Sequence, residues 1–440
     1  MAEYSNSIKI HEIEPVYFSA NNRVEFRLPH GKLYTNNMIV ANVGTTKSAG
    51  ASVYCKLPGA YGHLRSVGLF DGNTELQVLT RANEWAAIKN SLHSNAYNED
   101  VGSMLSLSRK STVFNIRDTT GLQANGIAFG AKVTEGSSRA LQAATGTTDR
   151  LSGKAQLDLA EVLNLLQSIP YVDTEVFKDL KVVLEYDSTI TNIFKDTQNQ
   201  GVATTIRPFL IAEEIVEPDI IQANLGKVPR AIQYKVIEND IVTVPLIATT
   251  AQIPNPVQSN TFHIHAFNNK SVDRMLIKTR TQLAATRQEG NSDVSYGEYN
   301  SQAMLLQKNQ VRVNGKNIFA RDGITKENER LALFSDTWGS NHHQQPFAYG
   351  LAPKAVDANT RDAHINLGNE VIGSQSYFGC DLAGVKVKDL QLDYERVGFR
   401  SSVGGQIALC KYNSALDLII FAEVKKAIIP SGKGYNVVYV

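Results

Sequence analysis

The chain has 440 residues, with 44 Lys and Arg against 43 Asp and Glu, so its formal net charge is +1. That balance excludes a protein held to nucleic acid by a large basic excess. Hydrophobic residues make up 42% and charged residues 20%, which excludes wholesale disorder and leaves enough chain for about two to four domains with real cores.

Three cysteines, Cys55, Cys380 and Cys410, are too few and too scattered for a disulfide framework or a zinc knuckle, and they suit a reducing compartment. The opening MAEYSNSIKIHEIEP has no apolar signal-peptide core. No run approaches the roughly 18 apolar residues of a membrane span. The expectation is a soluble protein made in the cytosol.

In chain order, residues 23–28 (RVEFRL), 51–57 (ASVYCKL) and 64–70 (LRSVGLF) alternate apolar and polar side chains. That period predicts half-buried strands. Asp71-Gly72-Asn73 punctuates them as a turn. Residues 75–92 (ELQVLTRANEWAAIKNSL) carry a helical stripe of Leu76, Leu79, Ala82 and Ala86, with Trp85, Ile88 and Leu92 beside it, and predict a helix. A second helix is predicted over 157–169, stopped by Pro170, and a weaker third over 327–334. Further strands are expected at 206–212, 231–237, 241–246, 262–267, 274–279, 310–313, 416–422 and 435–440, with Asn314-Gly315 as a tight turn. The polar stretches 95–150, 281–301 and 339–376 read as surface loops that carry outward features or subunit contacts. Many short strands with rare helices predict an all-β fold of sandwiches.

Two landmarks recur. KDLKVVLEY at 178–186 is echoed by KDLQLDYER at 388–396. A strand, a turn ending in Asn/Asp-Gly and a helical segment occur around Gly72 and again around Gly315. Both echoes keep the same order, which predicts a duplication. The expected boundary lies near 213–218 (EEIVEP), giving domains 1–214 and 215–440.

Candidate chemistry is sparse. His263 and His265 are the low-ranking metal candidates, because residues i and i+2 of a strand share a face. No carboxylate follows in Ala266-Phe267-Asn268-Asn269-Lys270, so two polar strand histidines are the better reading. His342-His343 sits in a polar loop without an evident third ligand. Gly432-Lys433-Gly434 lacks the length and hydroxyl of a phosphate loop, and Gly404-Gly405 reads as a turn. Arg109-Lys110 and Lys425-Lys426 read as solvated basic pairs, and Asn269-Lys270-Ser271 as an unused glycosylation sequon. The expectation is no catalytic residue, no cofactor and no metal.

Two segments carry a resemblance. LPGAYGHLRSVGLFDGNTELQVLTRANEW (57–85) and AQLDLAEVLNLLQSIPYVDTEVFKDLKVVLEYD (155–187) are similar to the strand–turn–helix and helix–proline–strand segments of double jelly-roll major capsid proteins. That family serves tailless icosahedral double-stranded DNA viruses and includes the adenovirus hexon and the capsid proteins of polinton- and virophage-like elements. The resemblance implies two consecutive jelly-roll sandwiches with short inserted helices and long surface loops. It implies a non-enzymatic structural protein of the virion, made in the host cytosol. Its implied partners are itself, as a homotrimer and through lateral trimer contacts, and penton or minor capsid proteins. Sequence-specific nucleic-acid binding is not implied. The first 30 residues hold no basic run, which suits a genome held by other proteins or lying under an internal membrane. The competing readings are a two-sandwich carbohydrate-binding or host-attachment protein, and a metal-dependent jelly-roll enzyme built on His263 and His265.

Overall fold

The computed structural model describes residues 8–43, 45–47, 52–53, 61–62, 64–92, 155–187, 195–196, 203–216, 231–248, 256–282, 306–320, 323–325, 327–338, 349–351, 371–373, 377–397, 415–431 and 434–440. The first half holds β1 (Ile8–Ile13), β2 (Tyr17–Ser19), β3 (Arg23–Arg27), β4 (Leu33–Val43), β5 (Thr45–Lys47), β6 (Ser52–Val53), β7 (Leu64–Asp71), β8 (Thr74–Thr80) and helix α1 (Ala82–Leu92). It continues with β9 (Ala155–Asp158), helix α2 (Asn164–Ser168), β10 (Tyr171–Asp173), β11 (Leu180–Tyr186), β12 (Lys195–Asp196), β13 (Ala203–Thr205) and β14 (Phe209–Ile215). The second half holds β15 (Ile232–Val244), β16 (Val257–His263), β17 (Ser271–Thr281), β18 (Leu306–Val313), β19 (Lys316–Asn317) and helix α3 (Glu327–Trp338). It ends with β20 (Tyr349–Leu351), β21 (Val371–Gly373), β22 (Tyr377–Lys386), β23 (Leu390–Val397), β24 (Leu416–Ser431) and β25 (Gly434–Tyr439).

The first half forms a sheet of order β1-β14-β4-β10, with β9 also on β4, and a sheet of order β2-β3-β11-β7-β8. The second half forms β15-β24-β17-β22, with β25 on β24, and β16-β23-β18-β19. Among the described residues every ladder is antiparallel and none joins a strand of one half to a strand of the other. The two orders superimpose in kind: β23 takes the place of β11, and β18–β19 the place of β7–β8. The echoed KDL segments are therefore the equivalent central strands. The two echoed Gly turns open equivalent hairpins, at Gly72 (φ +57) and at Asn314-Gly315 (φ +52 and +77). Positive φ at the first central residue, as at Gly72, or at both, as at Asn314-Gly315, gives a two-residue hairpin the twist that matches its strands.

Within each half the inward residues of the two sheets interdigitate. Phe26, Val182 and Leu69 on one sheet and Met38, Val40 and Leu210 on the other line the core of the first; Leu392 and Tyr394 on one sheet and Ile277 and Leu418 on the other line that of the second. These form one continuous buried cluster running through both halves. Strand β24 shows why. All nine residues from Leu416 to Val424 are buried, on both faces, because one face covers its own sandwich and the other is covered by the first half.

Several expected elements are redrawn. Residues 75–80 are not helical: they are strand β8, paired with β7. The Asp71-Gly72-Asn73 turn folds them back before the helix begins, and Arg81, at φ +55, makes the break. The predicted helix over 157–169 resolves into β9, a 3₁₀ turn at Leu159–Glu161 and the five-residue α2, because Asp158 caps the turn through Ala160 and stops β9 there. The separate strands expected at 231–237 and 241–246 are one strand, since Glu238-Asn239-Asp240 stays in register with Ala422-Phe421-Ile420. The strand expected over 262–267 ends at His263. The strands expected at 23–28, 64–70, 206–212, 274–279, 310–313, 416–422 and 435–440 appear as β3, β7, β14, β17, β18, β24 and β25. Residues 95–150, and most of 281–301 and 339–376, lie outside the described residues.

Candidate functional site

The densest arrangement of polar and aromatic groups lies at the seam between the two halves. It starts from α1. Because Arg81 turns the chain out of β8, Glu84 and Trp85 fall on the helix face that meets the second half. Glu84 is 2% exposed. Its carboxylate accepts from Arg81 at 2.6 Å, from Lys278 at 2.8 Å and from Arg280 at 3.1 Å. Lys278 and Arg280 stand two apart on β17, so they share a face. Arg280 reaches on to Asp417 of β24 at 2.8 Å, and Asp417 also accepts from Gln282 at 2.6 Å. Lys278 is fully buried. A lysine there is tolerated only because a carboxylate sits against it. Burial pushes the Glu84 carboxyl up, but Lys278, Arg280 and Arg81 outweigh it and hold it down at about 2. Asp417 is likewise held below the ordinary carboxylate range: burial raises it, and the hydrogen bonds from Arg280 and Gln282 prevail.

Beside this chain of charges the aromatics close the seam. Trp85 meets Trp338 of α3 edge to face at 5.6 Å and Phe421 of β24 at 5.5 Å. Trp338 donates to the Met275 carbonyl at 3.0 Å and carries the Arg274 guanidinium over its ring at 4.2 Å. The Tyr234 hydroxyl donates to the Leu76 carbonyl at 2.6 Å, Asn239 to the Thr80 carbonyl at 3.0 Å, and Tyr435 to Asp71 at 2.7 Å. Lys426 pairs with Glu75 at 3.2 Å. Both tryptophans are thus spent inside the molecule, at 3% and 7% exposure. Neither offers the open ring that a sugar would stack on.

The residues singled out from sequence lie elsewhere. His263 ends β16 and His265 lies in the following turn; the rings stack at 6.4 Å with 13° between planes. Gln391 stands 3.0 Å from His263, and Asp389 3.5 Å from it. No group of three or more His, Cys, Asp or Glu positioned for a metal occurs among the described residues. Among them, too, no helix is long and apolar enough to cross a membrane. Cys380 is buried with a free thiol, which burial pushes up. Of the pair read as solvated, Lys426 is instead 6% exposed. Cys55, Cys410, Arg109-Lys110, His342-His343, Gly404-Gly405 and Lys433 lie outside the described residues.

No protein-family model matches the chain. No curated protein matches it either. Solved structures do. PBCV-1 VP54, fitted into a reconstruction of the virophage Sputnik, aligns at a TM-score of 0.52 and 10% identity, over 98% of this chain and 97% of that one. A chain of the Sputnik virophage structure aligns at 0.57 and 11%, over 99% and 88%. The mavirus major capsid protein aligns at 0.52 and 9%, over 99% and 90%. The fold is a double jelly roll. In that frame the seam is where roll one, through α1 and β8, grips the β15-β24-β17 sheet of roll two.

Proposed function

We propose that the chain is the major capsid protein of an icosahedral virus, with residues 1–214 and 215–440 as its two rolls. Three copies form a pseudo-hexagonal trimer, and trimers tile the shell through lateral contacts, with penton or minor capsid proteins at the special positions. The role is structural, not catalytic. What supports this is that the whole two-roll architecture, and not one sandwich alone, aligns with the mavirus and Faustovirus major capsid proteins, at TM-scores of 0.52 and 0.51. The seam adds a physical reason. A tile must keep a fixed angle between its halves if many copies are to meet edge to edge, and buried charge pairs with strict geometry favour one arrangement over its neighbours. A net charge of +1 also lets like copies pack without strong repulsion. Size-exclusion chromatography with light scattering is expected to give the mass of three chains, and negative-stain micrographs to show hexagonal particles, rings or shells. A monomer at every concentration, with no particles, would overturn the reading.

A further inference from the structure

A groove of about 360 Å³ runs between α2 of the first roll and the β15–β24 ladder of the second. Asn164, Gln167 and Ser168 line it on one side, and on the other Gln233, Lys235 and Lys425, with Tyr234, Glu423, Lys426 and Val440 beside them. Lys235 and Lys425 are directly opposite in the antiparallel register. Like charges so placed repel, and an irregularity in the neighbouring strand brings a carboxylate to them. Strand β17 slips its register between Val272 and Arg274 against both of its neighbours, leaving Asp273 out of the ladder. Opposite it, Ala383 and Gly384 of β22 are left-handed, at φ +52 and +72. A Cβ on Gly384 would lie 2.6 Å from the Lys425 ammonium and 2.9 Å from the Asp273 carboxylate. The bulge therefore sets one carboxylate between two ammonium groups, at 2.7 Å from Lys235 and 2.8 Å from Lys425. Bulges and left-handed non-glycine residues of this kind gather where a side chain must be aimed.

Two lysines share Asp273, Lys235 also lies 3.6 Å from Glu423, which pairs with Arg274 at 2.6 Å, and Lys426 pairs with Glu75. Among these side chains four cations face three carboxylates. Lys235 and Lys425 are also 47% and 41% exposed, so both ammonium groups retain open hydrogen-bonding directions. Burial raises the Asp273 carboxyl, but its two lysine hydrogen bonds prevail and hold it below the usual range, so the clamp stays charged at neutral pH.

We propose that this groove docks an acidic peptide segment of a partner protein, with Lys235 and Lys425 taking a carboxylate and the side-chain amides of Asn164, Gln167 and Gln233 pairing with the peptide backbone. The amides line a trough in which an extended chain finds both donors and acceptors. A sugar would want an exposed ring, and Tyr234 here is 3% exposed. A nucleic-acid backbone would want several free cations rather than one. The inference rests on the groove and holds whether or not the chain builds a shell.

The test is fluorescence anisotropy of a labelled hexa-aspartate peptide titrated with the full-length protein at low salt, with an uncharged peptide and inorganic phosphate as separate arms. Saturable binding of the acidic peptide alone is expected. Lys235→Gln and Lys425→Gln are expected to weaken it roughly tenfold or more. Asp273→Asn removes the internal competitor and is expected to tighten it by about threefold or more, a gain that lysines with only a structural role would not produce. Thermal melts establish that each variant is folded. No saturation, indifference to the lysine variants, or no tightening in Asp273→Asn overturns the proposal. Equal competition by free phosphate overturns the peptide as occupant.

Discussion

Glu84 shows how one side chain can hold two domains at a fixed angle. It lies on the first roll, yet two of its three cationic partners lie on the second. Replacing it as Glu84→Gln keeps the shape and removes the charge that Lys278 and Arg280 face. Stripping one partner from a buried ion pair costs about 3–5 kcal/mol, and urea unfolding should show a loss of that order. Replacing Glu84 and Lys278 together by apolar residues of similar volume should recover most of it, because the pair's desolvation cost disappears with it. The same carboxylate sets an acid limit. Its folded value, about 2, lies below its ordinary value of 4.5. The stability it contributes is therefore present in full above about pH 4.5 and is lost as pH falls toward 2. A pH series of unfolding midpoints should be flat from neutrality down to that window and then fall, and Glu84→Gln should flatten the fall.

At the scale of elements, the paired hairpins and helices decide how the rolls are closed. Asn314 ties two of them together: its side-chain amide donates to the Lys386 carbonyl at 3.0 Å and its oxygen accepts from the Lys388 amide at 2.7 Å. Asn314→Ala loses both contacts and a residue tolerant of φ +52. A cost of about 1–3 kcal/mol follows, with a lowered melting temperature as the measurement. Much of this level was legible in sequence. Alternation marked β3 and β7, the echoed KDL segment marked β23 as the counterpart of β11, and the two Asn/Asp-Gly echoes marked the equivalent hairpins. What misled was composition read without its partner. Residues 75–80 look helical because Leu76 and Leu79 are spaced for a helix, but pairing with β7 outweighs that spacing. The seam was hidden for a related reason. Lys278 and Arg280 alternate with Ile277 and Thr279 as an outward polar face would, and alternation cannot say that another domain covers the outward face. The clue was Glu84 itself, a carboxylate between apolar positions of α1. The Lys235–Asp273–Lys425 clamp left still less trace, since a bulge is a property of register and not of composition.

For the molecule as a whole, the decisive fact is that both rolls share one buried cluster, bridged by Trp85, Trp338 and Phe421. Two sandwiches joined only by a linker would unfold separately, because domain interfaces within a chain are usually small and polar. Here the interface is a core, and losing one roll exposes a tryptophan, a charged chain and the second face of β24 on the other. Calorimetry of the intact chain should therefore give a single transition, with calorimetric and van't Hoff enthalpies in agreement. Trp85→Ala is the variant that tests the cause. It removes the ring that contacts both α3 and β24, at an expected cost of about 3–5 kcal/mol, and it leaves every ladder within the two rolls intact. Its melting curve should broaden or split into two transitions, one for each roll. If the unmodified chain already melts in two steps, the rolls are independent and the seam does not set the angle between them. If Trp85→Ala lowers the midpoint and the transition stays single, the coupling lies in the Glu84 charge chain rather than in the aromatic contact, and the double variant with Glu84→Gln should then split it.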